Sequence, residues 1–206
     1  MKYLYRLFIL AFLFSQQSYG QFWENNFIYA NAGISTCNFL GVEAGFNYIK
    51  YEKLYFGLNY ANPSDEAKNK PVDYSGGLLG SDEVKDIHHS FKVSSGYVIT
   101  LNPKKTIRLN LRGGIGVRWS RIATDFQQHS TGAGWFSSTT YSYDRESKYS
   151  AEITVFPAIE FPLARGYGLS LGPTLSVADG RTFVGLSLNN IFGVVRGKTS
   201  ANPPPN

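Results

Sequence analysis

Residues 107–119 read IRLNLRGGIGVRW, and every odd-numbered position in this stretch is apolar or glycine, whereas the even-numbered positions are polar, charged or glycine. Successive side chains of a β-strand point to opposite faces of the sheet, so a period of two separates the two sets of residues. The stretch therefore predicts a strand with one apolar face and one polar face, the polar face carrying Arg108, Arg112 and Arg118.

The same alternation recurs through most of the chain, in about eight runs that each keep their phase over four or more positions. The apolar positions of these runs fall within residues 28–34, 40–48, 54–60, 91–99, 107–119, 149–161, 169–177 and 184–194. A lipid-facing side chain must be apolar, whereas the next one, which points into the lumen, need not be. The pattern therefore predicts an all-β protein, an eight-stranded antiparallel transmembrane β-barrel.

The first 20 residues have the features of a secretory signal peptide. Lys2 and Arg6 form a basic start, residues 7–14 are an apolar run, and residues 18–20 (SYG) match a small-x-small cleavage site. The apolar run is shorter than the roughly 20 residues that a transmembrane helix needs. We therefore expect residues 1–20 to be a signal peptide and the mature chain to begin at Gln21.

The rest of the chain suits one domain. We predict a barrel over residues 21–195 and a Pro-rich, disordered tail over residues 196–206. The formal net charge is +5, but the basic residues are scattered among acidic ones. Export and the lack of a basic stripe disfavour nucleic-acid binding. The lone Cys37 cannot form an internal disulfide, and we interpret it as a small side chain near a hairpin.

The connections between the runs alternate in length. Short turns near Tyr51, Pro103 and Arg165 are predicted to lie on the periplasmic side, and the long segments 62–87 and 122–147 on the outside. Tight hairpins at residues 35–38 and 179–181 would close the first and last pairs of strands.

Pairing the runs about these turns predicts which lumenal residues meet. Arg118 with Glu152 and Arg108 with Glu160 fit nearly one register, which would place opposite charges side by side. The alternative is that these charges are unrelated and simply lie on polar faces. Pairing about Tyr51 would put Glu43 opposite Asn59, Gly45 opposite Gly57 and Phe46 opposite Phe56.

Three positions break the alternation. Pro157 and Pro173 occupy lipid-facing positions, where they would lie opposite each other, and proline donates no ladder hydrogen bond. We therefore expect a bulge or a local gap there. Asn190 interrupts the apolar phase of the last run, so the pattern does not determine the register of that strand.

Closing eight strands leaves an interior that side chains can fill, which disfavours a diffusion pore. The polar phase predicts a lumenal polar network of Glu43, Asn59, Arg108, Arg112, Arg118, Glu152 and Glu160. A hydrogen-bonded core that makes the barrel rigid is the favoured interpretation, and a narrow ion path or a small-ligand site is the alternative.

The segment 122–147 contains Trp135, Phe136, Tyr141 and Tyr143 among Ser, Thr and Gly. Aromatic contact area with small polar neighbours is typical of adaptable recognition surfaces. These four residues are therefore candidates for contact with an extracellular ligand, although exposed loops without a partner have the same composition.

The signal peptide, the alternating runs and the short inner and long outer connections together resemble the small outer-membrane β-barrel proteins of Gram-negative bacteria, of the OmpA/OmpX type. The resemblance covers essentially all of the mature chain. It implies location in the outer membrane, contact with outer-membrane lipid and lipopolysaccharide, and insertion by the outer-membrane assembly machinery.

Some barrels of this kind modify lipid A with a catalytic His and Ser near the outer rim. His88-His89 and His129-Ser130 fall near the outer rim, but adjacent residues on a strand point apart and no family motif accompanies them. Asp82, Glu83 and Asp86 lack the spacing of a known calcium site and suit a solvated acidic stretch.

The sequence therefore predicts a non-enzymatic barrel without catalytic, metal or cofactor residues, which has a structural or surface-interaction role. A lipid A-modifying enzyme and a narrow channel are the alternatives. A soluble barrel with apolar side chains inside is the alternative fold.

Overall fold

The computed structural model describes residues 25–37, 39–72, 74, 84–131 and 138–197. The predicted signal peptide and residues 198–206 of the predicted tail lie outside this part of the chain. Among the described residues, no helix is long and apolar enough to cross a membrane.

The described residues form ten β-segments, which make eight strands because two strands are interrupted. The strands are β1 (Phe27–Cys37), β2 (Phe39–Lys50), β3 (Leu54–Asn62, continued as Ser64–Glu66), β4 (Lys85–Thr100), β5 (Arg108–Thr131), β6 (Ser138–Val155, continued as Ala158–Phe161), β7 (Tyr167–Ala178) and β8 (Arg181–Val194). Each strand pairs antiparallel with its neighbours in the chain. The predicted eight-stranded antiparallel fold is confirmed.

The first and last strands close the sheet into a ring. Ile28 of β1 lies opposite Val194 of β8 and, on its other side, opposite Tyr48 of β2. Closure satisfies the backbone groups that an open sheet would expose at its edges, which a lipid environment requires.

The barrel is apolar outside and polar inside. Ile115 and Ile153 on the outer surface are 69% and 65% exposed, whereas the lumenal Arg118 and Glu160 are 2% and 0% exposed. The outward side chains of the eight strands are those that the alternation predicts. A soluble barrel would have the opposite arrangement, so this distribution excludes the alternative fold.

Two turns set the register of their hairpins. Asp179 and Gly180, with φ of 51° and 68°, form a two-residue turn between β7 and β8, and both left-handed values match a type I′ turn. Between β2 and β3, Tyr51 and Glu52 are both left-handed, and the turn is centred on Glu52.

The register predicted about Tyr51 was therefore wrong by two residues. Glu43 lies opposite Ala61, and Gly45, not Glu43, lies opposite Asn59. Phe46 lies opposite Leu58. A shift of two preserves the side-chain faces, so every residue still points to its predicted side.

The expected gap at Pro157 is present, because β6 is interrupted at Phe156 and Pro157. Pro173, in contrast, lies within a continuous β7. Asn190 does not disturb β8: it stays in phase on the outer face, where the Tyr167 hydroxyl donates to Asn190 Oδ1 at 2.8 Å.

The segment predicted as a long loop, 122–147, is mostly strand. β5 extends to Thr131, β6 begins at Ser138, and the two form the outer hairpin, residues 122–147. Outside the membrane neither face of a strand must be apolar, so the alternation that marks a membrane strand is absent there.

Candidate functional site

The lumen holds a buried carboxylate near the end with the short turns. Glu160 accepts hydrogen bonds from Tyr29 Oη at 2.9 Å, Arg108 Nε at 2.6 Å and Asn110 Nδ2 at 3.0 Å. Arg108 lies directly opposite Glu160, and its Nη1 also donates to the Val195 carbonyl oxygen at 2.9 Å. A buried ion pair needs such additional hydrogen bonds to offset the loss of hydration.

A second ion pair lies closer to the outer rim. Arg118 Nη2 donates to Glu152 Oε1 at 2.7 Å and to Ser176 Oγ at 2.8 Å. Glu152 lies opposite Gly116, so it reaches Arg118 diagonally, and it also accepts from the Ser90 hydroxyl. The network thus joins β4, β5, β6 and β7 through the lumen.

A chain of side-chain amides crosses the other half of the lumen. The Tyr55 hydroxyl donates to Asn47, Asn47 Nδ2 donates to Asn31 Oδ1 at 2.7 Å, and Asn31 Nδ2 donates to Asn189 Oδ1 at 3.2 Å. Asn189 Nδ2 then donates to Glu43 Oε2 at 3.1 Å. These bonds connect β3, β2, β1 and β8, so the two strands that close the ring are also linked by their side chains.

The structure places the seven predicted lumenal residues in the lumen but distributes them among separate contacts. It brings Arg108 to Glu160 and Arg118 to Glu152, and it places Glu43 at the end of the amide chain. The other two bond elsewhere: Asn59 Nδ2 donates to Ser94 Oγ at 2.6 Å, and Arg112 Nε donates to the Phe156 carbonyl oxygen at 3.0 Å.

Asn31 and Asn189 were missed by the sequence reasoning, although both lie in the polar phase of their strands. Among the described residues, a cavity of about 20 Å³ lies between the networks, lined in part by Glu43, Lys92 and Arg112. This volume is about that of one water molecule.

Apolar side chains close the lumen at the end with the short turns. They are Phe27, Tyr29, Ile49, Tyr55, Val98, Ile191 and Val195, all buried. Ile49, Val98 and Ile191 occupy lumenal positions at strand ends, where apolar residues interrupt the polar phase. This interruption is the signal by which the sequence could have revealed the closure.

At the outer end, a buried carboxylate joins three strands. Asp86 Oδ2 accepts from Arg181 Nη1 at 2.9 Å, and Asp86 Oδ1 accepts from the backbone N–H of Ala123 at 3.0 Å. Asp82 and Glu83, weighed with Asp86 as cation ligands, lie outside the described residues. Within the described chain, no group of three or more His, Cys, Asp or Glu side chains could hold a metal ion.

The two adjacent histidines point apart, as expected on a strand. His88 is buried in the lumen, where Nδ1 lies 2.8 Å from Ser120 Oγ, and His89 points outward. His88 Nε2 has no hydrogen-bond partner among the described residues. A serine nucleophile needs a base that is itself oriented by a third group, and this arrangement does not supply one.

The outer hairpin shares a small core with the outer ends of β3 and β4. Phe126 and Tyr143 pack against a buried cluster of Ala67, Val84 and Ala123. Two of the four predicted contact candidates therefore take part in packing: Tyr143 here, and the half-buried Tyr141, whose ring lies 5.4 Å from that of Tyr74. Trp135 and Phe136 lie outside the described residues.

Two exposed polar contacts accompany the hairpin. His129 Nε2 lies 2.9 Å from Ser142 Oγ across the two strands, and the side chain of Ser130 lies outside the described part. Lys148 Nζ lies 2.8 Å from Asp179 Oδ2 in the β7–β8 turn. The hydrogen bond from Lys148 holds the pKa of the Asp179 carboxyl below its ordinary value.

No protein-family model matches the chain, and no curated protein matches it in sequence. Among solved structures, it is similar to the N-terminal β-barrel domain of Pseudomonas aeruginosa OprF and to Neisserial surface protein A (NspA), each with a TM-score of 0.49, 10% identity and coverage of 82% of this chain and 97% of that chain. It is also similar to Ail, the attachment invasion locus protein of Yersinia pestis, with a TM-score of 0.47, 11% identity and coverage of 82% and 98%. By its closed ring of eight antiparallel strands, apolar outside and polar inside, the chain is a β-barrel of the small outer-membrane type.

Proposed function

We propose that this outer-membrane barrel is not an enzyme and acts at the cell surface, through the outer hairpin. The observation that carries the proposal is the packing of Phe126 and Tyr143 against the cluster formed by Ala67, Val84 and Ala123. Hairpins of solvated residues need a hydrophobic contact to remain folded. A packed, half-buried aromatic core gives this hairpin a defined shape outside the membrane, which lowers the entropic cost of binding an extracellular ligand.

We also propose that the lumen conducts no solute, which leaves the outer surface as the functional part of the barrel. Two buried ion pairs, the amide chain and the apolar residues at the inner end fill the described interior. Conductance of the purified protein in planar bilayers tests this part. We expect no single-channel steps, and steps that change in size in Arg112→Ala would favour the narrow channel instead.

The proposed partners follow from the surfaces of the barrel. The apolar outside contacts outer-membrane lipid and lipopolysaccharide, the assembly machinery inserts the strands, and the hairpin meets an extracellular ligand. None of these partners requires a cofactor or a metal ion.

A shortened hairpin tests the surface role. Thr124 lies opposite Asp144, so an Asn-Gly turn in place of residues 125–143 closes the strands without changing the barrel register. Cells that produce either form would be applied to a panel of immobilised matrix proteins and polysaccharides. We expect the full-length chain to confer adhesion to at least one surface that the shortened form does not bind. Equal adhesion across the panel, with equal amounts of both proteins in the membrane, would overturn the proposal.

Mass spectrometry of lipid A from cells with and without the protein tests the absence of enzymatic activity. We expect the same acyl and phosphate pattern in both. A changed pattern that is restored by His88→Ala or by His129→Ala would identify the lipid A-modifying enzyme as the correct alternative.

A further inference from the structure

Arg112 is a buried cation of the lumen, and no carboxylate of the described residues lies within ion-pair distance of it. Its side chain is 8% exposed, and its Nε donates to the Phe156 carbonyl oxygen, which carries no charge. The two carboxylates deep in the lumen, Glu152 and Glu160, pair with other cations. A buried charge is costly unless it is paired. The positive charge of Arg112 therefore remains to be balanced.

A second cation lies beside the same aromatic ring. Lys92 Nζ is 5.5 Å and Arg112 Cζ is 4.8 Å from the centre of the Phe156 ring. Lys92 Nζ also lies 4.0 Å from Glu152 Oε1, but Arg118 shares that carboxylate. On the inner side of the Asp86–Arg181 pair, the described strands place four cations in the lumen against three carboxylates: Lys92, Arg108, Arg112 and Arg118 against Glu43, Glu152 and Glu160. This part of the lumen thus has an excess of positive charge.

The small cavity between the polar networks lies next to these two cations. It has a volume of about 20 Å³, and its lining includes Arg112, Lys92, Glu43, Asn31, Asn59 and Asn189. Asn59 Nδ2 donates to Ser94 Oγ and Asn189 Nδ2 donates to Glu43 Oε2, but each amide nitrogen carries a second N–H group. Within the described part of the chain, the cavity wall therefore presents two cations and several amide donors but one carboxylate.

We propose that the cavity binds one monovalent anion of the size of a halide ion, with Arg112 and Lys92 as its charged partners. A volume of about 20 Å³ admits one particle of about the size of a water molecule, which excludes phosphate, sulfate and carboxylates. Water would fit the cavity, but it would leave the excess charge unbalanced. A halide ion instead accepts charge-assisted hydrogen bonds from the two cations.

An anion in this cavity is bound rather than conducted. The buried apolar residues at the end with the short turns close the lumen on that side, so the described interior offers no way through. The anion site goes beyond the surface role of the outer hairpin and does not rest on it. Replacement of residues 125–143 leaves Arg112, Lys92 and the cavity in place, so each proposal can fail without the other.

Anomalous diffraction from crystals grown in sodium bromide locates the anion directly, because bromide is a halide with a strong anomalous signal. We expect a peak inside the barrel, within hydrogen-bond distance of the Arg112 guanidinium. Bromide peaks on the outer surface alone would identify an adventitious ion only and would overturn the assignment. Density for water in the cavity without an anomalous peak would do the same.

Unfolding by urea in lipid vesicles tests the site in solution. At constant ionic strength, bromide replaces gluconate, which is too large for the cavity. An anion that binds only the folded chain raises the urea midpoint as its concentration increases. We expect this rise in the wild-type chain and in the control Lys53→Met, and its loss in Arg112→Met, which lacks the charged partner. A midpoint that does not respond to bromide in the wild-type chain, or that responds equally in Arg112→Met, would overturn the proposal.

Glu43→Gln tests the site in the opposite direction and does not depend on the folding of Arg112→Met. Glu43 is the carboxylate of the cavity wall, so its neutralisation should strengthen bromide binding about tenfold. Glu66→Gln makes the same change in an exposed pair and should leave the bromide dependence of the midpoint as in the wild-type chain. The same bromide dependence in Glu43→Gln as in Glu66→Gln would show that the cavity holds water rather than an anion.

Discussion

Arg112 and Phe156 bridge the interruption of β6 by hydrogen bonds in both directions. The Phe156 N–H donates to the Arg112 carbonyl oxygen at 2.9 Å, and Arg112 Nε donates to the Phe156 carbonyl oxygen at 3.0 Å. The guanidinium also lies 4.8 Å from the centre of the Phe156 ring. The arginine side chain thus supplies a donor to the Phe156 carbonyl oxygen, next to Pro157, where β6 is interrupted.

Replacing Arg112 with Met should destabilise the barrel, because the Phe156 carbonyl oxygen would lose its donor in the lumen. A buried acceptor left unpaired costs about 1–3 kcal/mol. The free energy of unfolding by urea in lipid vesicles measures the effect, and Lys53→Met in the exposed β2–β3 turn is the control. Equal stability of the two variants would show that the bridge is not required.

Glu160→Gln should be more damaging than removal of an exposed carboxylate. Breaking a buried pair leaves Arg108 with an uncompensated charge, which costs about 3–5 kcal/mol. The control, Glu66→Gln, disrupts an exposed pair with Lys70 and should cost less than about 1 kcal/mol. The same unfolding assay applies.

A double variant separates the charge of Glu160 from its volume. Arg108→Met with Glu160→Leu removes both charges and should recover part of the stability that Glu160→Gln loses. A double variant less stable than Glu160→Gln would show that the hydrogen bonds from Tyr29 and Asn110 matter more than the ion pair.

Val155→Lys should report the position of the membrane. Val155 lies midway between Tyr149 and Phe161 along the outward face of β6 and is 53% exposed to the lipid side. A lysine facing lipid at the midplane of a barrel costs about 2–4 kcal/mol. Gln128→Lys, at an exposed position of the outer hairpin, should change the unfolding free energy by less than about 0.5 kcal/mol. A larger loss of unfolding free energy in the hairpin variant than in Val155→Lys would place the hairpin in the membrane.

The Lys148–Asp179 pair predicts how the Asp179 carboxyl in the β7–β8 turn titrates. Because the pKa of Asp179 is lowered in the folded protein, the contact stabilises the fold above the unfolded-state pKa of about 3.9. This stabilisation is lost only as the pH falls through the lower folded-state pKa. Carboxyl NMR of the labelled protein should show a midpoint below about 3.9, and Lys148→Gln should raise it. An unchanged midpoint in that variant would contradict the contact.

The sequence predicted the strand faces better than the strand partners. A lipid-facing side chain must be apolar, so the faces of all eight strands could be predicted from the alternation. The pairing of β2 with β3 could not, because it depends on left-handed backbone conformations at Tyr51 and Glu52, neither of which is glycine. Asp179-Gly180, a common type I′ turn sequence, allowed the last hairpin to be predicted.

Only the ion pairs of the candidate site could be predicted from the sequence. The partners of Arg108 and Arg118 could be inferred from charge and position, whereas the amide chain through Asn31 and Asn189 depends on packing between strands distant in sequence. The outer hairpin was mistaken for a loop because water, unlike lipid, imposes no pattern on its two faces.

The pairing of β1 with β8 also has a consequence for biosynthesis. Until β8 pairs with β1, both edges of the incomplete sheet carry unpaired backbone groups, which lipid cannot hydrate. A chain truncated before Arg181 would lack β8 and would therefore leave open edges that favour aggregation. Closure of the sheet thus depends on synthesis reaching the final strand.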